Sequence, residues 1–328
     1  MRTWTTYLRD TAKQCNVSLD DTDAMATIAT NINDSINTIC NLQGGKLRFL
    51  EATKEMLTVA SQEAYQIPNG FRKIIDMYVT VGSGTSATIY MPEMVFDPTR
   101  WKLILAYRLG TNDFPYFTYV ENQQFKLQPI PSTSGNTITI RGRLQIRDLS
   151  IEDYTTGTIT SIANSGTAVV GSGTTWTEDM VGRYIQITNT TAANGGDGFW
   201  YQIGDFTDAT HITLLKPYEG VSIVAGTAAY TIGQCSVIPQ AYDVGVVQRS
   251  AALWWDNQND LQRGKTYWMK YDGGYEAGYK NEYGGLMSQM LANEGETEEG
   301  AYIPPFAQGA NVIQAPYYFP FQQASGFN

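Results

Sequence analysis

Apolar residues recur at steps of three and four between residues 18 and 42, a period that predicts an amphipathic helix. The apolar positions are Met25, Ile28, Ile32, Ile36 and Ile39. Ser18, Asp20 and Asp21 stand before this run and offer side-chain oxygens that can cap the first turn. The pair Gly44-Gly45 follows and ends the helix.

Beyond this helix the pattern changes to that of β-strands. Residues 71–80 form a run of β-branched and aromatic side chains, which strands prefer. From residue 137 to residue 147, Ile138, Ile140, Leu144 and Ile146 alternate with polar residues, as in a strand with one buried face. We therefore expect residues 46–150 to be predominantly β.

Residues 155–233 differ in composition and contain short runs rich in Thr, Gly and Ile. The strand-like runs are 156–162, 184–187, 199–203, 211–215 and 228–232. Several short strands at hairpin-like spacing predict a small sandwich or barrel. Turn-rich chain flanks the segment on both sides, so it could be an insertion into a host domain.

Helical periodicity returns after Ile238-Pro239. The apolar positions are Val244, Val247, Ala251, Trp254, Leu261 and Trp268. Tyrosines then repeat at four-residue intervals, at Tyr267, Tyr271, Tyr275, Tyr279 and Tyr283. Each step of four overshoots a helical turn by about 40°, so this stripe would wind around the helix. Gly273, Gly274 and Gly278 each weaken a helix by about 1 kcal/mol against Ala, so neighbouring contacts would have to support it.

The C-terminal segment 292–328 lacks Lys and Arg and begins with glutamates. Its aromatic residues include Tyr302, Phe306, Tyr317, Tyr318, Phe319 and Phe321. Charge, proline and glycine argue against a core of its own, whereas so many aromatics would be adhesive on a solvated tail. We expect an arm that docks on a partner surface, with plain disorder as the alternative.

The composition narrows the possible functions. Among 328 residues there are 32 acidic and 22 basic ones, giving a formal net charge of −10. This balance disfavours a nucleic-acid binder, which needs Lys and Arg to neutralise phosphates, but suits a path through which DNA slides without adhering. No apolar run reaches the length of about 20 residues that a membrane span needs, and the N-terminus shows no secretory signal. The three widely spaced cysteines are expected to be reduced thiols.

Catalytic and metal-binding residues are sparse. The chain has one histidine, His211, within a strand-like run, where a structural role is expected instead of catalysis. Glu178-Asp179 and Glu152-Asp153 are paired carboxylates of the kind that glycosidases use, but such pairs are also common on surfaces. We therefore expect no enzyme activity, no cofactor and no metal.

Two basic or glycine-rich motifs could meet phosphate. Arg141, Arg143 and Arg147 lie on one strand face and could contact phosphates or acidic residues of a neighbouring subunit, or simply be solvated. The loop from Gly171 to Thr177 resembles a phosphate-binding loop only superficially. It lacks the lysine of a Walker A motif, and Trp176 replaces the third glycine of a Rossmann motif. We expect Gly171, Gly173 and Gly182 to allow turns, and Trp176 and Val181 to anchor the next strand.

A group of short motifs in residues 156–232 resembles the β-module inserted in head-to-tail adaptor (connector or neck) proteins of tailed bacteriophages. The motifs are Thr156-Gly-Thr-Ile, Val170-Gly-Ser-Gly-Thr-Thr-Trp176, Met180-Val-Gly-Arg-Tyr-Ile185, Trp200-Tyr-Gln-Ile203, Thr210-His-Ile-Thr-Leu214, Pro217-Tyr218 and Ala229-Tyr-Thr-Ile232. The flanking order agrees: an N-terminal helix, the stretches 65–74 and 125–131, then a helical segment after Ile238-Pro239.

The resemblance implies an α+β protein with three parts. Residues 1–154 and 234–291 would form a helical adaptor core with a β-rich region, residues 155–233 an inserted all-β sandwich or barrel, and residues 292–328 an extended arm. It also implies a structural protein of the virion neck, assembled in the host cytoplasm. A ring of probably 12 copies would join the portal to tail (nozzle or tube) proteins and line the DNA exit channel, meeting DNA only non-specifically. The tyrosine stripe, the arm aromatics and the three arginines are the candidate contacts with portal or neighbouring subunits.

Two alternatives remain from the residues alone. A tail or fibre protein could bind host glycans through Trp176, Phe199, Trp200 and Tyr201 if these rings were exposed. An adaptor with peptidoglycan-hydrolase activity could use the scattered carboxylates, including Glu152 and Glu178.

Overall fold

The computed structural model describes residues 1–84, 87–107, 109–188, 196–272 and 286–294. This part of the chain mixes helices and sheets, which is consistent with the predicted α+β class. Its α-helices are α1 (Trp4–Cys15), α2 (Thr22–Cys40), α3 (Pro98–Ala106), α4 (Val244–Asn257), α5 (Leu261–Asp272) and α6 (Leu286–Glu294). Its strands are β1 (Glu51–Leu57), β2 (Ala64–Gln66), β3 (Phe71–Val81), β4 (Thr88–Tyr90), β5 (Glu93–Val95), β6 (Phe117–Glu121), β7 (Gln124–Gln128), β8 (Thr137–Leu144), β9 (Thr158–Ile162), β10 (Ala168–Ser172), β11 (Tyr184–Ile187), β12 (Trp200–Asp208), β13 (His211–Leu214) and β14 (Tyr230–Gly233).

The chain divides into two compact units. Among the described residues, unit 1 comprises 1–49 and 147–294, and unit 2 comprises 50–146. Unit 1 therefore contains the helices α1, α2 and α4–α6 together with strands β9–β14, while unit 2 contains strands β1–β8 and helix α3.

Helix α4 is the centre of the helical part of unit 1, where it contacts α1, α2 and α5. Helix α2 begins as its sequence predicts, because the Asp21 carboxylate accepts a hydrogen bond of 3.1 Å from the Ala24 N–H. Its isoleucines form the expected apolar face and are buried at Ile28, Ile32, Ile36 and Ile39. The predicted helix is thus confirmed, with its ends at Thr22 and Cys40.

The C-terminal helical run is interrupted where the sequence pattern suggests continuity. Helix α4 ends at Asn257, and Asn259 takes a left-handed backbone conformation with φ of 58° before α5 begins. Leu261 therefore does not continue the apolar face of α4 and is mostly exposed. Asparagine tolerates this conformation better than most residues, so the helix can end here with little conformational strain.

Strands β9–β14 form a closed barrel. The sheet order is β14-β11-β12-β13-β10-β9. Bridges from Ile159 to Ala228 and from Ile162 to Ile223 then tie β9 to the chain that leads into β14. The barrel interior is filled by aliphatic side chains with Trp176, Tyr218 and Tyr230. All five strand-like runs of the sequence correspond to strands, and β10 is an additional one.

Unit 2 contains two four-stranded sheets, with orders β1-β8-β3-β4 and β2-β7-β6-β5. Side chains from both sheets share one core, including Ile138 and Ile140 of β8 and Phe125 of β7. Helix α3 packs separately on β5 and β6, where Trp101 stacks on Tyr119 at a ring distance of 5.3 Å. The expectation of a β-rich region is confirmed for these residues.

Candidate assembly surfaces

The first turn of α1 holds the two chain segments that flank the barrel, one entering β9 and one leaving β14. Thr3, the N-cap residue, donates a hydrogen bond of 2.8 Å from its hydroxyl to Asp153 Oδ2, and its oxygen accepts one from the Thr6 N–H. The Trp4 N–H donates to the Gln234 carbonyl at 2.9 Å. The Asp153 N–H donates to the Thr5 hydroxyl oxygen at 3.0 Å. We call this set of contacts the α1 joint.

Buried charge surrounds the α1 joint. Arg2 pairs with Asp10 at 2.9 Å and with the nearly inaccessible carboxylate of Asp243. Burial raises the pKa of Asp243, although the charge of Arg2 partly opposes the shift. Burial also raises the pKa of Asp153, against the hydrogen bond from Thr3. Asp153 within the joint and Asp243 beside it are therefore both costly to keep ionised, which makes the geometry of the joint sensitive to charge.

The glycine-rich loop directs its polar groups inward. The Gly171 N–H donates to the Thr210 carbonyl at 2.9 Å, and the Thr174 hydroxyl donates to the Ala209 carbonyl at 2.7 Å. Gly173 has a positive φ of 67°, as a tight turn requires. These donors bind the neighbouring turn of the barrel, which supports the interpretation of the segment as a structural turn.

Gly171 has a different role from the one that its sequence suggests. Its φ is not positive; instead, a Cβ at this position would lie 2.7 Å from both the Thr174 methyl and the Trp176 ring. Trp176 is buried as expected, whereas Val181 is partly exposed and does not anchor the core. Gly171 is thus required for close packing of the loop against Trp176.

His211 forms an exposed cluster with Asp208 and Thr210 at the turn between β12 and β13. Its Nδ1 lies 2.9 Å from Asp208 Oδ1 and 3.0 Å from the Thr210 hydroxyl oxygen. The hydrogen bond with His211 is the main cause that lowers the pKa of Asp208, to about 2. Because the same ring nitrogen meets both partners, the imidazole caps a turn here and does not connect a nucleophile with a carboxylate.

The two described tyrosines of the tyrosine stripe belong to α5 and contact their own unit. Tyr271 is buried and packs edge-on against Trp268, with ring centroids 5.8 Å apart. Its burial raises the pKa of the phenol to about 12. Tyr267 is half-buried and donates a hydrogen bond of 2.8 Å to Gln14 Oε1 of α1. The other predicted contacts lie outside the described residues, at Tyr275, Tyr279, Tyr283, Tyr302, Phe306, Tyr317, Tyr318, Phe319 and Phe321.

The predicted arginine stripe follows β8 and the chain just after it. Arg141 of β8 has Asp76 at 3.3 Å and Glu51 at 3.8 Å, so two carboxylates oppose its charge. Arg143 is half-buried opposite Glu51 in the strand register. Arg147 follows the strand and is exposed. Local carboxylates make the centre of this stripe a weak phosphate ligand.

The aromatic residues considered for glycan stacking are divided between core and surface. Trp176 and Tyr201 are buried in the barrel, whereas Phe199 is exposed over 67% of its surface. Trp200 is half-buried on β12. Two of the four rings are therefore committed to packing and cannot stack on a sugar.

The described residues contain neither a metal-binding cluster nor a membrane-spanning helix. No group of three or more His, Cys, Asp or Glu side chains in this part of the chain is placed to hold a metal ion. Across residues 1–84, 87–107, 109–188, 196–272 and 286–294, no helix combines the length and apolarity required to cross a membrane. Cys15, Cys40 and Cys235 are free, and burial raises the pKa of each thiol to about 12.

The N-terminal half of the chain matches a family of virion proteins. Residues 2–164, about half of the chain, match the family model described as SU10 adaptor protein, and this part of the chain belongs to that family. The match covers α1, α2, unit 2 and β9. It confirms the resemblance to head-to-tail adaptors of tailed bacteriophages. No curated protein matches the chain.

The family is one of structural adaptors, and it implies a place in the virion neck with portal and tail proteins as partners. The α1 joint is not detectable from the sequence, because its residues are separated by about 150 and 230 positions and have no distinctive spacing.

Proposed function

We propose that this protein is a structural, non-enzymatic adaptor that forms a ring between portal and tail and lines the DNA exit channel. The observation that carries the proposal is the adaptor-family match over residues 2–164. The helical part of unit 1 supplies a framework for lateral contacts, and a closed ring satisfies the same heterologous interface on every copy. A ring of about twelve copies follows from the resemblance to head-to-tail adaptors.

Charge supports the channel role. The acidic excess is unevenly distributed: residues 155–233 contain six acidic and two basic residues, whereas residues 50–146 contain eight and nine. Repetition of the net charge of −10 around a ring would give a strongly negative assembly. Like-charge repulsion would then prevent DNA from adhering during passage.

The C-terminal segment supplies the partner contact in this proposal. Its aromatic residues gain affinity when they are buried on portal or on a neighbouring subunit, while the entropy lost on ordering limits the net gain. Residues 155–233 serve as an inserted domain facing tail components. Truncation after Leu291 is therefore expected to abolish portal binding and leave a folded protein.

Electron microscopy of the purified chain, alone and with portal protein, tests the assembly. Rings of about twelve copies that join portal support the adaptor, while trimers point to a fibre protein instead. The truncated chain is the matched variant, and unchanged affinity for portal would contradict the role of the C-terminal segment. A peptidoglycan-release assay with Glu152→Gln and Glu178→Gln tests the absence of hydrolase activity.

A further inference from the structure

The surface of unit 2 carries an apolar area around α3. Among the exposed large hydrophobic side chains of the described residues, six lie between residues 89 and 107. They are Ile89, Met91, Phe96, Leu103, Leu105 and Tyr107. Phe96, Leu103 and Tyr107 have exposed fractions of 74%, 59% and 62%. Soluble proteins seldom expose apolar groups so closely spaced unless they bind something.

Helical geometry brings part of this area together. Trp101 and Ile104 are buried in the unit, whereas Lys102 and Leu103 of α3 and its C-cap residue Tyr107 are exposed. Leu103 and Tyr107 are four residues apart and therefore adjacent on the helix surface. We call Phe96, Lys102, Leu103 and Tyr107 the α3 surface.

Phe96 occupies a position that usually packs against its own helix. It directly precedes the N-cap residue Asp97, and a residue there commonly contacts the fourth helical position, which is Trp101. Trp101 instead stacks on Tyr119, and Phe96 remains exposed. The local fold thus leaves a large aromatic ring beside α3 for another contact.

The electrostatic character of the α3 surface differs from that of the whole chain. Residues 50–146 have one more basic than acidic residue, whereas the chain has an acidic excess of ten. On α3, Arg100 is engaged with Glu93 at 2.8 Å, and Lys102 adds a positive charge on the outer side. The surface suits a ligand that combines carboxylates with aromatic rings.

One segment of the chain has this chemistry. Residues 295–328, which lie outside the described part, contain Glu296, Glu298 and Glu299 but no Lys or Arg. Six aromatic residues follow between positions 302 and 321. Fully extended, the 27 residues from 294 to 321 could span up to about 90 Å, enough to reach a second molecule.

We propose that residues 295–328 of one copy bind the α3 surface of a neighbouring copy, with the glutamates near Lys102 and the aromatic rings on Phe96, Leu103 and Tyr107. This inference rests on the proposed function in one respect, since a ring supplies the neighbouring copy. It places the arm on a neighbouring subunit, one of the two partners named in the proposed function, so that truncation would abolish portal binding by preventing the ring from forming.

Photo-crosslinking of the full-length chain tests this contact. Leu103→Cys is labelled with a thiol-reactive benzophenone and mixed with unlabelled, ¹⁵N-enriched chain before irradiation. Cys15 and Cys40 are buried and the Cys235 thiol has a raised pKa, so labelling favours the introduced thiol. Glu121→Cys, an exposed site at the end of β6, is the matched control.

Hybrid peptides joining the label at position 103 to residues 295–328 of the ¹⁵N-enriched copy are expected, and the control site should not give them. Lys102→Glu in the labelled copy should lower their yield about threefold, in the range of an exposed ion pair. Light scattering of the same samples separates the two proposals. If the chain associates but gives no such hybrid peptides, or if all crosslinks lie within one copy, the α3 contact alone is overturned. A chain that stays monomeric at all concentrations overturns both.

Discussion

Inside the barrel, the indole Nε1–H of Trp176 donates a hydrogen bond of 2.9 Å to the hydroxyl oxygen of Tyr230. The two rings also meet edge to face, with centroids 5.9 Å apart. The Tyr230 hydroxyl donates in turn to the Thr156 carbonyl, at the start of the barrel. The glycine-rich loop, the last strand and the entering chain are therefore held by one connected series of hydrogen bonds.

Trp176→Ala should lower the free energy of unfolding by about 3–5 kcal/mol, because it removes a fully buried indole and leaves a cavity. Tyr230→Phe should lower it by about 1–3 kcal/mol, because the indole N–H then lacks its acceptor. Guanidinium denaturation followed by circular dichroism measures both. The exposed ring of Phe199 provides the control, since Phe199→Ala should change stability by no more than about 0.5 kcal/mol. Equal losses at positions 176 and 199 would contradict the barrel packing.

Gly171 and Gly182 should respond oppositely to the same pair of substitutions. Gly171 lacks space for a side chain, so Gly171→Asn should be more destabilising than Gly171→Ala. Gly182 has a φ of 86°, and a Cβ added there would meet no atom within 4 Å, so only the backbone is strained. Asparagine tolerates positive φ, and Gly182→Asn should therefore be milder than Gly182→Ala. The melting temperatures of the four variants test this prediction. If alanine and asparagine ranked in the same order at both positions, the two glycines would not differ in the way proposed.

The Thr3–Asp153 contact should show energetic coupling. Thr3→Val removes both the cap of α1 and the donor to Asp153, with an expected loss of about 1–3 kcal/mol. In an Asp153→Asn background the same change should cost less, giving a coupling energy of about 0.5–3 kcal/mol in a double-mutant cycle. Thr27→Val, whose hydroxyl donates to the Asp23 carbonyl on an exposed turn of α2, is the control. Strict additivity would show that the hydrogen bond does not stabilise the α1 joint.

The raised pKa of Asp153 determines the direction in which its contribution to stability changes with pH. The folded state binds this proton more tightly than the unfolded chain does, so the carboxylate destabilises the fold above its folded pKa. As pH falls through that pKa towards the ordinary value of 3.8, the penalty disappears. The wild type should therefore gain stability relative to Asp153→Asn on going from about pH 7 to pH 4.

Melting temperatures of the two proteins across this range test the prediction. Glu152→Gln removes a neighbouring exposed carboxyl and serves as the matched variant. A wild-type minus Asp153→Asn difference that stays constant with pH would show that the Asp153 proton is not linked to folding.

The elements with strong apolar periodicity can be predicted from the sequence. Helix α2 buries four isoleucines on its predicted face, and β8 buries Ile138 and Ile140 as its alternation predicts, although Thr139 between them is buried as well. Helix α1 escapes prediction although its buried residues Trp4, Tyr7, Thr11 and Cys15 recur at steps of three and four, because the polar Thr11 occupies the middle of this face. Packing on α4, which lies more than 200 residues away in the sequence, buries that face.

Strand β10 escapes prediction for a related reason. Its Gly171 and Ser172 favour turns, and the local pattern indicates a loop. Pairing with both β9 and β13 overrides this preference. The candidate surfaces are the least predictable of all, since the exposure of Phe96 depends on whether Trp101 packs on it or on Tyr119.

The α1 joint has a consequence for the order of events during synthesis. Thr3 leaves the ribosome early, but its neighbour Gln234 and the whole of α4 are made more than 200 residues later. At typical elongation rates of about 5–20 residues per second, the N-terminal helix waits for on the order of ten seconds or more for α4, with only α2 available to pack on it. Unit 2, encoded entirely within residues 50–146, can complete its fold during that interval. This topology therefore predicts that host chaperones bind the nascent N-terminal helices and not unit 2.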